Sequence, residues 1–136
     1  GRSLEDIDVV GCIWFSVSQD PEKAKDALRD LVTFYGPHLA PDMIAKIGLT
    51  PSDFDPIKGA YAARDPERAR SLMTDEMAKI AIHGTPEDCI RRLEKLVSGG
   101  LKHVRFGPPL GPDPAETIRL IGEEVVPYFR ENSPHS

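Results

Sequence analysis

Apolar residues along this chain fall into short continuous runs and helical stripes, which follow one another in a regular order. The run from Val9 to Ser18 is rich in β-branched and aromatic side chains and carries no charge, as is typical of a parallel strand covered on both faces. Asp20 and Pro21 then supply a helix N-cap and a first-turn proline. Apolar residues at steps of three and four predict a helix, with a buried stripe of Ala24, Ala27, Leu28, Leu31, Val32 and Tyr35. We assign residues 9–36 to a first βα unit.

Residues 37–79 interrupt this order. Prolines and glycines recur throughout the stretch and divide it into short pieces, and no alternating apolar pattern is present. Thr50, Asp65 and Thr74 are candidate N-caps for short helices. We therefore expect a helical insertion that packs beside the main sheet.

The order of strand and helix resumes over residues 80–131. A very short apolar run predicts a strand at Ile80–Ile82, and a longer run predicts another at Leu101–Phe106. The residues that follow, Gly107–Asp113, are predicted to form a loop. The helix between the strands begins with Thr85 and Asp88, a variant of the capping box. Apolar spacing predicts the buried residues of this helix and of the last one: Cys89, Ile90, Leu93, Leu96 and Val97, then Ile118, Ile121, Val125 and Phe129. We expect the tail, residues 132–136, to be frayed.

Alternating strands and helices predict an α/β fold in which parallel strands end at one common edge, where ligands collect in the following loops. A closed (β/α)8 barrel has eight βα units and typically about 250 residues. The chain has 136 residues and three predicted units. We therefore expect part of a barrel, and a piece of a longer enzyme.

Composition excludes several classes of protein. The chain is 40% hydrophobic and 29% charged, as in soluble globular proteins, and its net charge of −5 argues against a nucleic-acid partner. No apolar run approaches the roughly 18–20 residues that span a bilayer, and no leader is present, so we expect a cytoplasmic protein without membrane contact. Cys12 and Cys89 lack any CxxC spacing, so we expect buried, reduced thiols and no metal site.

Two stretches of the sequence resemble a known family. Residues 84–113, GTPEDCIRRLEKLVSGGLKHVRFGPPLGPD, and the following IRLIGEEVVPYFRE resemble the carboxyl-terminal end of the bacterial-luciferase-like superfamily. The closest branch is that of the deazaflavin-dependent methylenetetrahydromethanopterin reductases. VVGCIWFSVSQDPEKAKDAL looks like the sixth barrel unit of the superfamily. The resemblance implies a partial (β/α)8 TIM-type barrel, roughly strands six to eight with a helical insertion, in a homodimer or larger oligomer.

The resemblance also implies a function. The family transfers hydride reversibly between C5 of 8-hydroxy-5-deazaflavin (coenzyme F-420) and a one-carbon unit on a pterin, as an oxidoreductase of one-carbon metabolism acting on CH–NH donors. Most cofactor and substrate contacts belong to the first five strands, so we expect the fragment alone to be inactive and to need the amino-terminal half. Two alternatives stay open. One is an FMN-dependent luciferase-like monooxygenase, and the other is a non-catalytic α/β remnant that oligomerises through its open sheet edges.

Two pairs of residues are candidates for ligand contacts. Gly84 and Thr85 lie where a strand leads into a helix N-terminus, whose backbone N–H groups suit a phosphoryl group of the cofactor. Simple helix capping by Thr85 and Asp88 is the competing interpretation. Gly107 and Pro108 follow the third strand and predict a stiff wall for a flat ring, or a rigid turn that directs the last helix.

The remaining residues of chemical interest are assigned to structure. His83 and His103 lie near predicted strand ends, and imidazole titrates near neutrality, but neither has a carboxylate or cysteine partner close in sequence. Trp14 and Phe15 are adjacent in one strand, so their side chains point to opposite faces. One is expected to face the barrel interior and the other the helix layer. The sequence assigns no catalytic residue, oligomeric state or specific substrate.

Overall fold

The computed structural model of the protein describes residues 3, 7–8 and 10–132. Within these ranges the chain forms strands β1–β3 and helices α1–α9, joined by short 3-10 segments and one π-helical segment. The strands are β1 (Val10–Val17), β2 (Ile82–Gly84) and β3 (His103–Leu110). The helices are α1 (Pro21–Asp26), α2 (Arg29–Tyr35), α3 (Pro41–Ala45), α4 (Asp55–Ala62), α5 (Pro66–Ser71), α6 (Asp75–Ala78), α7 (Pro86–Ser98), α8 (Pro114–Leu120) and α9 (Val126–Glu131). The 3-10 segments are Gly36–His38 and Pro51–Phe54, and the π-helical segment is Ile121–Val125.

The strands form one parallel sheet. β1 pairs with β3 from Val10 opposite His103 to Ser16 opposite Leu110, with one irregularity after Trp14. β1 pairs with β2 only at its end, where Phe15 lies opposite Ile82. Because both pairings are parallel, the carboxyl ends of the strands meet at one edge. The predicted α/β fold with parallel strands is confirmed.

The order of the strands is a finding that the sequence did not predict. Among the described residues the sheet has the order β2-β1-β3, so β3 lies beside β1 and not beside β2. In a closed barrel each strand pairs with the next one along the chain. The long β1–β3 pair therefore has the extent expected of two neighbouring barrel strands, whereas β2 is a three-residue addition at the other edge of β1.

The strand boundaries predicted at Ser18, Ile80, Ile82, Leu101 and Phe106 are wrong, and the start predicted at Val9 lies outside the described residues. β1 ends one residue before Ser18. The second strand begins at Ile82 and not at Ile80, because the N–H groups of Ile80 and Ala81 close the last turn of the preceding helix, on Met77 O and Ala78 O. β3 begins at His103 and continues to Leu110, so the first four residues of the predicted Gly107–Asp113 loop belong to a strand. Proline is tolerated there because β3, among the described strands, has a neighbour on one side only.

The sheet separates two hydrophobic cores. The core of the outer helices combines Phe15 and Val17 of β1 with buried residues of β2, α7 and the last helix: Ile82, Cys89, Leu93, Leu120 and Val125. The core of helices α2–α6 lies on the other face, with Trp14 packed against it. Its largest fully buried members are Leu28, Val32, Ile44, Phe54 and Ile57. The opposite orientations predicted for Trp14 and Phe15 are confirmed.

Several residues predicted to be buried are exposed. The first predicted helix is divided into α1 and α2, and at its end the Tyr35 side chain is 49% exposed. Leu96 and Val97 at the end of α7 are also exposed. Ile118 is 65% exposed, because α8 buries the face that carries Thr117 and Leu120, and successive helix positions point about 100° apart.

None of the helices in the described ranges combines the length and the apolar character that crossing a membrane requires.

Candidate functional site

Hydrogen bonds connect the strand ends at the carboxyl edge of the sheet. The N–H of Ser18 donates to Gly84 O at 3.1 Å, which joins the ends of β1 and β2. The Thr117 hydroxyl donates to Val17 O at 3.2 Å, and this hydrogen bond attaches helix α8 to the end of β1. Gly111 has a φ of 150°, and a Cβ there would lie 2.6 Å from Val17 O. Only glycine therefore fits where β3 leaves the sheet.

Gly84 and Thr85 form a complete helix cap in this structure. The backbone N–H and the hydroxyl of Thr85 donate to Asp88 Oδ2 at 3.1 and 3.0 Å, and the N–H of Asp88 lies 3.3 Å from Thr85 Oγ1. Gly84 has a φ of 128°, and a Cβ on it would lie 2.7 Å from Asp88 Oδ2. A carboxylate thus occupies the Thr85 donors that a phosphoryl group would use. The cofactor contact stays a prediction, and it requires displacement of Asp88.

Gly107 and Pro108 lie in β3 and not in a loop. Gly107 is buried, and a Cβ there would lie 2.9 Å from Ile13 O and 3.7 Å from the Trp14 ring. Pro108 is exposed, and the bond to Pro109 is cis. The backbone of Gly107 therefore lies against the face of the sheet that carries Trp14. Its predicted role as a ring wall stays a prediction.

An open cleft of about 460 Å³ lies on the Trp14 face of the sheet, next to the end of β3. Phe34 and Tyr35 stand edge to face with centroids 4.9 Å apart, and Tyr61 approaches Phe34 in the same way at 6.3 Å. The Trp14 ring lies 5.8 Å from that of Tyr35. The lining consists of Ala27, Asp30, Leu31, Phe34, Tyr35, Tyr61 and Pro109. Aromatic side chains with a few polar groups are the usual lining of a small-molecule site.

The polar groups of the cleft are held by their neighbours. Asp30 Oδ1 pairs with the Arg70 guanidinium, and this hydrogen bond raises the pKa of Arg70. The Thr33 hydroxyl donates to Arg29 O at 2.7 Å, so the Tyr61 hydroxyl, 3.1 Å away, donates to Thr33. The cleft therefore presents the Asp30 carboxylate, 74% exposed and paired with Arg70, beside aromatic rings that contact one another.

Sequence reasoning missed this cleft. Tyr35 was assigned to the buried stripe of the first helix, and Phe34 was not singled out. The available signal is the pair of adjacent aromatic residues immediately before Gly36-Pro37. Because side chains on successive helix positions diverge, both cannot belong to one buried stripe.

The two histidines have different surroundings. His83 is partly buried, and burial, followed by the positive charges of Arg92 and Lys25, lowers its pKa. The His83 imidazole is therefore neutral near pH 7. His103 Nδ1 lies 2.7 Å from Asp8 Oδ2, a partner distant in sequence. It lies at the amino end of β3, away from the strand exits.

The expectation for the cysteines is half right. Both are free, but Cys12 is exposed, because it lies on the open part of the Trp14 face. Cys89 is buried, and burial raises the pKa of its thiol to about 12. In the described ranges no cluster of three or more potential metal ligands occurs.

A larger cavity, about 810 Å³, opens between α7, α9 and the start of β3. Its walls include Leu101, Val104 and Phe129. This position is at the amino end of the strands, opposite the edge where ligands collect in parallel α/β folds. The cleft near Pro109 is therefore the better candidate site.

No model of a protein family matches the chain. Individual proteins do match. A 5,10-methylenetetrahydromethanopterin reductase of Methanopyrus kandleri is 32% identical over 132 residues, which are 96% of this chain and 38% of that protein. Reductases with the same name from Archaeoglobus fulgidus and Methanolobus tindarius are 33% and 34% identical, over 96% and 93% of this chain and 41% and 39% of their own lengths.

A solved structure gives the same result. The coenzyme F-420-dependent tetrahydromethanopterin reductase of Methanopyrus kandleri superposes with a TM-score of 0.86 at 31% identity. The match covers 94% of this chain and 37% of that one. The partial (β/α)8 barrel is thereby confirmed, and the chain spans about two fifths of the relatives that it matches. Over nearly all of its length the chain is homologous to the carboxyl-terminal part of the 5,10-methylenetetrahydromethanopterin reductases.

Proposed function

We propose that this chain is the carboxyl-terminal part of a coenzyme F-420-dependent oxidoreductase that acts on methylene-tetrahydromethanopterin or a related one-carbon pterin. The observation that carries the proposal is the likeness to reductases of this name over 96% of the chain, in sequence, and over 94%, in structure. The open aromatic cleft beside the strand exits is suited to a planar ring.

The bound deazaflavin would supply the hydride. This chain would orient the pterin, whose one-carbon unit receives it. Hydrogen bonds join the end of β1 to the end of β2 and to helix α8, and they hold this part of the barrel rim in one conformation. Gly107 and Pro108, with the aromatic residues of the cleft, form a wall that orients a flat ring and excludes water. The backbone at Gly84 and Thr85 would contact the phosphoryl part of the cofactor after Asp88 moves. General acid–base groups would come from the rest of the barrel.

The proposal includes an organisation for the whole protein. We assign residues 9–36 to the first βα unit, residues 37–79 to a helical insertion and residues 80–131 to the final units. The frayed tail predicted over residues 132–136 lies, from residue 133 on, outside the described residues, as does Val9. A second copy of the chain, or the amino-terminal part of the barrel, covers the open face of the sheet. We place the protein in the cytoplasm.

Hydride transfer can be tested with the reduced deazaflavin as donor and methylene-tetrahydromethanopterin as acceptor. The chain is assayed alone and after co-expression with the amino-terminal remainder of the Methanopyrus kandleri relative. Recovery of the oxidised deazaflavin absorption is expected with the co-purified complex and not with the chain alone.

The control replaces the deazaflavin by reduced FMN in the presence of oxygen. A co-purified complex that oxidises reduced FMN and leaves the reduced deazaflavin unchanged would contradict the proposal and favour a luciferase-like monooxygenase. A complex inactive with both would favour a non-catalytic role.

A further inference from the structure

We propose that the cleft lined by Asp30, Phe34, Tyr35, Tyr61 and Pro109 binds the aminopyrimidinone ring of the pterin, with the Asp30 carboxylate accepting hydrogen bonds from the ring edge. This inference rests on the proposed function and assigns the pterin, not the deazaflavin, to this part of the rim.

The aromatic side chains supply a stacking surface that the fold leaves open. Phe34 is 55% exposed and Tyr35 is 49% exposed, although both are held in place by edge-to-face contacts with each other and with Tyr61. Exposed aromatic rings fixed by their neighbours bind planar ligands at a low entropic cost. Pro109 at the end of β3 closes the cleft on the side of the strand exits.

The Asp30 carboxylate would favour the pterin ring over the deazaflavin ring. An aminopyrimidinone edge presents two adjacent N–H donors, which match the two oxygens of a carboxylate. A deazaflavin carries a pyrimidinedione edge, in which one N–H lies between two carbonyl oxygens. Those oxygens would face the negative charge of Asp30. The Arg70 guanidinium pairs with Oδ1 and holds the carboxylate in place, and a carboxylate oxygen can accept more than one hydrogen bond.

The position of the cleft agrees with this assignment. It lies on the Trp14 face, which is opposite the core of the outer helices and is therefore the inner side of the barrel. Pro109 pairs in the sheet with Phe15, two residues before β1 ends. A pterin in the cleft would thus carry its one-carbon unit to the edge where the strands end.

Binding can be measured through Trp14, the single tryptophan of the chain, whose ring is 5.8 Å from that of Tyr35. The probes are 6,7-dimethylpterin and 6,7-dimethyllumazine, which differ at C2, where the pterin carries an amino group and the lumazine an oxo group. Saturable quenching of Trp14 fluorescence, corrected for absorption by the probe, is expected with the pterin. We expect about tenfold weaker binding of the lumazine, since one charge-assisted hydrogen bond is lost.

Substitutions separate the carboxylate from the ion pair. Asp30→Asn is expected to weaken pterin binding about tenfold and to abolish the preference over the lumazine. Arg70→Gln removes the same ion pair but keeps the carboxylate, so the preference should persist. Asp55→Asn, an exposed carboxylate on α4 that pairs with Lys58, is the surface control and should change nothing.

Equal binding of the two probes, tighter binding of riboflavin than of the pterin, or an unchanged preference in Asp30→Asn would overturn the inference. A different outcome would contradict the proposed function. If the co-purified complex turns over but Asp30→Asn leaves the KM for the pterin substrate unchanged, the hydride-transfer proposal stands and the assignment of the cleft is wrong.

Discussion

Cys12 and Cys89 show at the scale of single residues how far surroundings decide chemistry. The exposed thiol of Cys12 lies on the open face of the sheet, and the thiol of Cys89 is enclosed in the core of the outer helices with a pKa of about 12. The sequence predicts a buried, reduced thiol for both, because neither has a CxxC partner. Their difference depends on which face of an element meets a neighbour.

The raised pKa of Cys89 predicts a dependence of stability on pH. In the native protein the pKa of the Cys89 thiol is about 12, whereas in the unfolded chain the thiol ionises near the ordinary cysteine pKa of 9.0. Because the unfolded state releases its proton first, this contribution to stability is complete below pH 9 and is lost as the pH rises toward 12. Urea unfolding at increasing pH should show a falling free energy of unfolding.

The matched variants are Cys89→Ala and Cys12→Ala. Cys89→Ala lowers stability at neutral pH through a cavity, but its further decline above pH 9 should be shallower than that of the parent. Cys12→Ala should keep the steep decline. Parallel curves for the parent and Cys89→Ala would refute the assignment.

At the scale of elements, two glycines in open surroundings differ only in backbone conformation. A Cβ on Gly59 or on Gly48 would have no atom within 4 Å. Gly59 lies inside helix α4, whereas Gly48 has a φ of 80°. Gly59→Ala should therefore raise the free energy of unfolding by about 0.5–1 kcal/mol, and Gly48→Ala should lower it by about 1 kcal/mol. Chemical denaturation of both variants measures the difference, and a change of the same sign in both would contradict it.

Helix caps and the parallel direction of the strands could be predicted because they depend on local signals. Thr85 with Asp88 forms the capping box that the spacing predicts, and Asp20, Asp65 and Thr74 cap α1, α5 and α6. Each cap requires residues within three positions of one another. Such signals are complete within a short window of sequence.

Strand order and the aromatic cleft could not be predicted, because they depend on distant contacts. β3 pairs with β1 across more than 80 residues of chain, from His103 to Val10, and no local pattern specifies that choice. The cleft combines Phe34 with Tyr61 and Pro109, which lie on three separate elements. The same limit explains why Ile118 was assigned to the wrong face of α8.

At the scale of the whole molecule, the Trp14 face of the sheet is only partly covered. Near the start of β1 and β3 it exposes Val10, 54% accessible, together with Cys12, His103 and Arg105. Exposed sheet faces and edges favour association. We expect the chain to associate with itself, or with the remainder of a barrel, through this surface.

Light scattering at micromolar concentrations tests this expectation. Val10→Lys should shift the population toward monomer, because it places a charge on the contact surface. Ile118→Lys, an exposed apolar residue on α8, outside that face, is the control and should leave the association unchanged. A parent chain that is strictly monomeric, or equal effects of both variants, would show that another surface or none is used.

β1 separates the core of helices α2–α6 from the core that contains α7 and α8. Trp14 belongs to one side and Phe15 to the other, and the Phe15 ring contacts the Phe106 ring at a tilt of 52° with centroids 4.6 Å apart. One peptide unit joins these two residues, so the backbone that positions the indole ring also positions the Phe15 ring. Evolution cannot remodel the front of this strand freely, since each change there is also a change in how the back is filled.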